Sequence, residues 1–408
     1  MRAALTGVLL LAGTFALAQS QTTEAEQAAL LGYDAECAPY GIPLTTNTGN
    51  DFPQLQTMVT VPDVRNDSAA FAKFQSINAS IPNIPIKYPG IQYDPNADPD
   101  CWWTVSNCVT PKLAGLNMDI SAAPEPKTLG YGFDDGPACD HNEFYNFLSD
   151  HHQKATMYYI GIYVMWFPLQ AQRAAADGHQ ICVHTWSHGN MTQMTNEEAF
   201  GELWYTMKAI KLVTGLTPTC WRPPHGDVDD RIRYIAQQLN LDTIIWRYDS
   251  FDWENGLNGV TNVTVQNNYD TLINDAKAGK FDTGGAIILT HELNNFTMGM
   301  AMTNYPALIE AFDYVVPLAV AMNKTTPYVE TNVTFPSFAE FTNQTTSSSS
   351  SSSSSSGSSG GSSSSSKGAT TNGTNSKATG QSGAVALGPS FTLAVAVAAA
   401  VAGAAFSA

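Results

Sequence analysis

From Lys127 onward, short apolar or β-branched runs recur along the chain: Thr128–Phe133, Ala155–Ile160, Gln180–Val183, Thr219–Trp221, Thr243–Trp246 and Ala286–Leu289. Runs this short, bounded by polar and turn-forming residues, read as strands. Between them the sequence predicts helices over Asn196–Thr214, Asp227–Leu239 and Val265–Ala278. Thr195 followed three residues later by Glu198 is a capping box opening the first of these. Strands alternating with helices pair in parallel through crossover connections, which predicts an α/β domain. Six such units over about 200 residues suit an incomplete or distorted (β/α) barrel, placed here at residues 126–325.

The flanking segments have other patterns. Residues 19–125 are rich in Pro, Asn and Asp with little periodicity, and read as an irregular N-terminal extension packed on the barrel. Residues 326–346 read as a connecting segment, and residues 347–382 as a flexible Ser/Gly-rich stalk too polar to bury. Residues 1–18 place Arg2 before an apolar run that ends in the small-x-small site Ala16-Leu17-Ala18, the pattern of a secretory signal peptide. Residues 383–408 follow small residues (Ser382 or Gly383 as the attachment site) and end in an apolar tail without a basic stop. That is the pattern of a GPI-attachment signal, removed in the mature protein. A transmembrane helix is the alternative reading of the same tail. The expected location is outside the cell, in the wall and on the outer face of the plasma membrane, held there by the lipid anchor.

Composition agrees with that route. Nine Asn-x-Ser/Thr sequons stand at Asn66, Asn78, Asn190, Asn262, Asn295, Asn323, Asn332, Asn343 and Asn372. The six cysteines (37, 101, 108, 139, 182 and 220) form an even set without Cys-x-x-Cys spacing, which points to disulfides. Sequence does not choose among their pairings, although Cys101 and Cys108 are close enough for a local loop. A hydrophobic share of 43% supports an ordinary core. The formal net charge of −17 argues against a nucleic-acid partner, which needs clustered Lys and Arg.

Chemistry gathers where the strand runs end. The first leads into Asp134-Asp135-Gly136-Pro137, the third into His184-Thr185-Trp186-Ser187-His188, and the fourth into Arg222-Pro223-Pro224-His225. The fifth leads to Asp249 and Asp252-Trp253, and the sixth into Thr290-His291-Glu292. The carboxyl ends of parallel strands build active sites, and four of the eight histidines fall there. His184 and His188, four apart, make with one carboxylate a three-ligand zinc set that leaves a position open. Singly, each motif has a plain structural reading: a turn at Asp134–Pro137, two solvated histidines at His184 and His188, a surface charge at Arg222, core at Trp253, a buried histidine at His291. Jointly, their order and placement favour a site.

Those five segments, in that order, resemble the motifs of the polysaccharide deacetylases (the NodB-homology domain, carbohydrate esterase family four). With its ends included, the chain is most similar to fungal GPI-anchored chitin deacetylases. The resemblance implies an amidohydrolase that turns chitin into chitosan and acetate, with Zn²⁺ (or Co²⁺) held by Asp135, His184 and His188. It further implies Asp134 as general base, Arg222 orienting it, His291 as general acid and Asp252 tuning that acid. By the same resemblance His225 lends a backbone N–H to the oxyanion, and Trp253 and Leu289 wall the acetyl pocket. Two positions depart from the family pattern: His225 replaces the usual Tyr, and Glu292 follows His291 where Asp is frequent. Acetylxylan or peptidoglycan as substrate, and a non-catalytic wall glycoprotein, are the rival readings.

Overall fold

The computed structural model describes residues 22–343. The expected signal peptide, stalk and attachment signal, with Asn372, Ser382 and Gly383, lie outside the described residues. Within them, nine strands follow in chain order: β1 (Thr128–Gly130), β2 (Gly132–Gly136), β3 (Thr156–Tyr159), β4 (Gln180–Val183), β5 (Cys220–Trp221), β6 (Asp242–Thr243), β7 (Tyr248–Asp249), β8 (Ala286–Leu289) and β9 (Tyr314–Val316). One sheet has the order β7-β8-β1-β9 and the other β2-β3-β4-β5-β6, with every ladder parallel. Two segments pass from sheet to sheet: β1 continues into β2 through Tyr131, and β6 runs on toward β7. A parallel bridge between Asp134 and His291 also ties β2 to the end of β8. The result is a distorted (β/α) barrel.

The strands read as unbroken apolar runs because both of their faces are covered. Tyr158, Cys182, Cys220, Ile244, Ile287, Leu289 and Val316 pack together in one cluster. Their neighbours Met157, Tyr159, Ile181, Val183, Trp221, Ile288 and Val315 belong to the other, larger core. Period-two alternation therefore sorts residues between two apolar environments rather than between core and water. Burying each such side chain stabilises the fold by about 1.5–3 kcal/mol.

Helices fill the crossovers. The helix over Asn196–Thr214 has the predicted bounds, and its capping box forms: Thr195 Oγ1 accepts from Glu198 N at 3.3 Å and Glu198 Oε2 from Thr195 N at 2.9 Å. The helix predicted from Asp227 starts only at Asp230, because Asp229 is its N-cap and accepts from Ile232 N at 3.0 Å. The last predicted helix starts earlier, at Asn262, capped by Thr261. Asn142–Asp150, Pro168–Ala176 and Asn295–Ala311 are helical as well.

The N-terminal extension is a series of short helices and loops that packs on the barrel. Its Val64 and Phe74 enter the larger core. The Cys37–Cys139 disulfide spans 102 residues, Cys101–Cys108 closes the local loop, and Cys182–Cys220 joins β4 to β5. Downstream of β9, Tyr328 is buried, and its hydroxyl accepts from Ile181 N at 2.9 Å. The eight sequon asparagines among the described residues are exposed. No helix among those residues is long and apolar enough to cross a membrane.

Candidate active site

Adjacent residues on a strand point to opposite faces, yet Asp134 and Asp135 meet the same neighbour. His184 Nε2 lies 3.7 Å from Asp134 Oδ2 and 3.3 Å from Asp135 Oδ1. The β2–β3 register shifts between Asp134 and Gly136, and Asp135 adopts φ 71°, which breaks the pleat at that point. Aspartate tolerates this left-handed conformation better than most residues. Gly136 is required by space: a Cβ there would sit 2.7 Å from both Glu292 Oε2 and the Tyr159 ring.

His184 and His188 converge through a loop rather than a helical turn, with Thr185 at φ 63° and His188 at φ 59°. His184 Nδ1 donates to the Arg222 carbonyl oxygen at 2.7 Å, which in the neutral imidazole leaves the lone pair on Nε2. His188 Nε2 lies 3.1 Å from Asp135 Oδ1. Asp135 Oδ1 is buried, and one ligand atom from each of Asp135, His184 and His188 falls within 4.8 Å of the other two. Burial alone would raise the Asp135 carboxyl, but the His188 and His184 imidazoles beside it hold it well below the usual carboxylate range. An ionised carboxylate with two imidazoles, one fixed in its tautomer from behind, is a donor set that fits a divalent ion.

Asp134 is almost fully buried and is held by Arg222, whose Nη1 donates to Oδ1 at 2.7 Å. The Arg222 guanidinium in turn lies over the Tyr158 ring (4.0 Å) and near that of Trp246 (5.7 Å). The second oxygen of Asp134 is the one turned toward His184. At the end of β8, His291 Nδ1 donates to Asp252 Oδ1 at 2.6 Å, and its backbone N–H donates to Oδ2 at 3.0 Å. Burial pushes the His291 imidazole down, but the charge and hydrogen bond of Asp252 outweigh that and raise its pKa to about 9.

The structure therefore brings together Asp134, Asp135, His184, His188 and Arg222, and pairs His291 with Asp252. The His225 ring stands 4.7 Å from that of His188, edge to face. Leu289 is buried, whereas Trp253 is 42% exposed and stacks on Phe251 at 6.4 Å. Sequence reasoning noted Glu292 only as a departure from the family pattern and missed its supporting role, together with its partners His141, Tyr145 and Tyr159. Glu292 is fully buried and is a hub: its Oε1 accepts from Ala138 N (3.0 Å) and His141 Nδ1 (2.8 Å), and its Oε2 from the Tyr145 hydroxyl (2.8 Å). Tyr145 in turn accepts from Tyr159 at 2.6 Å. The Glu292 N–H also donates to the Asp134 carbonyl at 2.8 Å, so the hub is fastened to the first motif.

A family model described as polysaccharide deacetylase matches residues 121–244. Chitin deacetylase 2 of Cryptococcus neoformans var. grubii serotype A is 49% identical over 331 residues, 78% of this chain and 72% of that protein. The chitin deacetylase of Amylomyces rouxii is 41% identical over 315 residues, 75% of this chain and 74% of its own. The solved structure of the chitin deacetylase from the fungal pathogen Colletotrichum lindemuthianum aligns with a TM-score of 0.48 at 18% identity, over 53% of this chain and 96% of that one. On the identity and coverage of the two sequence relatives, the chain belongs to the polysaccharide deacetylase family.

Proposed function

We propose that this protein hydrolyses the N-acetyl groups of chitin, leaving chitosan and acetate. One observation carries the reading: an Asp–His–His cluster fit for a metal ion adjoins the Arg222-held Asp134, and β2, which bears Asp134, is bridged to His291. The substrate class comes from the relatives named chitin deacetylases.

A divalent ion held by Asp135, His184 and His188, Zn²⁺ with Co²⁺ as the alternative, supplies Lewis-acid activation of water and of the acetyl carbonyl when bound. The chain's own groups do the rest. Asp134 takes the proton of the attacking water on the oxygen that Arg222 leaves free. The His225 backbone N–H faces the negative charge that develops on the carbonyl oxygen, and one such donor is typically worth about 10²–10³ in rate. As the C–N bond breaks, His291 gives its Nε2 proton to the departing glucosamine nitrogen, and acetate is left. Asp252 keeps that imidazole in its protonated form. Leu289 and Trp253 wall the acetyl methyl. Burying one methyl yields only about 0.8 kcal/mol, so that pocket orients the group more than it binds it.

In this reading the enzyme is secreted, carries N-glycans at its sequons, and is held by a GPI anchor attached at Ser382 or Gly383. Phosphatidylinositol-specific phospholipase should release it from membranes. The activity is tested by acetate release from N-acetylglucosamine oligomers of increasing length, with and without chelator, against acetylated xylan and peptidoglycan. Chelator-sensitive release from the chitin oligomers supports the proposal. Release from xylan or peptidoglycan alone moves the substrate, and no release at all from metal-loaded protein sinks the enzyme reading.

A further inference from the structure

After β5 the chain makes a turn of two consecutive left-handed residues, His225 (φ 56°) and Gly226 (φ 65°). A non-glycine residue in that region persists only where its surroundings hold it. The bonds that close the turn use the Gly226 and Asp227 N–H groups, donated to Pro223 O and Pro224 O at 3.1 and 2.9 Å. The His225 N–H is left out of the turn's own bonding.

Much of what holds this turn comes from the N-terminal extension, upstream of the stretch that the family model matches. The Trp103 indole packs on Gly226 so closely that a Cβ there would lie 2.1 Å from the ring. The Trp103 N–H donates to Val228 O at 3.0 Å. Trp102 Nε1 and Thr104 Oγ1 each donate to Asp227 Oδ1 at 2.8 Å. The Cys101–Cys108 disulfide closes the loop that carries these residues, and Arg233 donates to both cysteine carbonyls, at 2.6 and 3.0 Å. The Trp103 ring also lies 4.8 Å from that of Trp246, which stands 5.7 Å from the Arg222 guanidinium.

We propose that Trp103 is a positioning residue: its indole sets the place of the His225–Gly226 turn and backs the Trp246–Arg222 stack, so the N-terminal extension completes the site. The inference rests on the deacetylase reading above. Its physical basis is distance. An oxyanion donor works only within about 2.7–3.1 Å of the charge, and a misplacement of about 1 Å can cost 10²-fold in rate.

The test compares Trp103→Ala and Trp103→Phe in the full chain, on chitin oligomers and on an aryl acetate ester. The ester needs the same oxyanion donor but no glycan site. Trp103→Ala should lower kcat about 10- to 100-fold on both substrates. KM and zinc affinity should stay within about twofold, and Trp103→Phe should restore most of the rate. A folded Trp103→Ala protein with wild-type kcat overturns the inference, as does a loss of kcat, KM and zinc affinity in step. Should that variant fail to fold, Trp103→Phe and Trp103→Leu carry the test, and equal wild-type kcat in both overturns it. Wild-type activity on the ester but not on chitin sinks the substrate reading alone, because the ester still reports on Trp103.

Discussion

The Arg222 guanidinium lies 4.0 Å from the centre of the Tyr158 ring while its Nη1 donates to Asp134 Oδ1 at 2.7 Å. Both charges are withdrawn from water, so the pair is costly to break from one side: removing one partner of a buried ion pair typically costs about 3–5 kcal/mol. Arg222→Met should therefore lower stability by that order and abolish turnover, because Asp134 loses its orientation as well as its counter-charge. Arg222→Lys keeps the charge but not the flat stack over Tyr158, and should fall between. Urea unfolding with acetate release reads both effects. Wild-type stability in the Met variant would show that the pair holds nothing.

Asp134→Asn separates the base from the ligand. The amide oxygen still accepts from Arg222, but it cannot take up the water's proton. Turnover should drop by about 10²–10⁴, with bound metal, measured by elemental analysis, unchanged. Loss of the metal with the fold intact would mean that Asp134 and Asp135 have their roles exchanged.

Asp252 sets the alkaline side of the pH profile. His291, raised to about 9, is the protonated acid at neutral pH and loses that form as pH rises through its folded value. The same sign applies to stability. The Asp252–His291 pair contributes fully below the unfolded histidine pKa of about 6.5 and loses that contribution as pH rises toward 9. A cation bound by the neighbouring ligands lowers the wild-type value somewhat, so the shift between variants is the measurement that counts. Asp252→Asn should move the alkaline limb of kcat toward acid by about a unit or more. A limb that stays in place would assign the acid to another group.

Much of this was legible in sequence because the chemistry sits where apolar runs stop. The predicted runs Gln180–Val183 and Ala286–Leu289 coincide with β4 and β8, and His184 follows the first directly while His291 stands two residues past the second. β9 escaped because three residues carry no period, and the break at Tyr131 escaped because Tyr131 is as buried as its neighbours. The residues that hold the site were illegible for a different reason. Tyr158, Trp246 and Trp103 look like any apolar packing residue, and their roles lie in contacts between distant parts of the chain. Tyr145 and Glu292 are 147 residues apart, and neither has a local pattern that announces the other.

Glu292 is where the chain departs from the aspartate frequent in its family, and the hub gives the extra methylene a purpose. The carboxylate must reach Ala138 N and His141 with one oxygen and Tyr145 with the other. Glu292→Gln keeps the reach and loses the charge. The Tyr145 and Tyr159 hydroxyls can reverse their donation, so only part of the charge-assisted strength is lost. Glu292→Asp keeps the charge and shortens the reach, leaving a buried donor without its acceptor at a cost of about 1–3 kcal/mol. Glu292→Ala leaves all three donors unsatisfied and should cost the most. The expected order of stability is thus wild type, Gln, Asp, Ala, with turnover falling in the same order because loosening the side chain also loosens the residue 292 backbone, whose N–H holds the Asp134 carbonyl. An aspartate variant as stable and active as wild type would show that the hub tolerates the shorter side chain and that Glu292 has no such role.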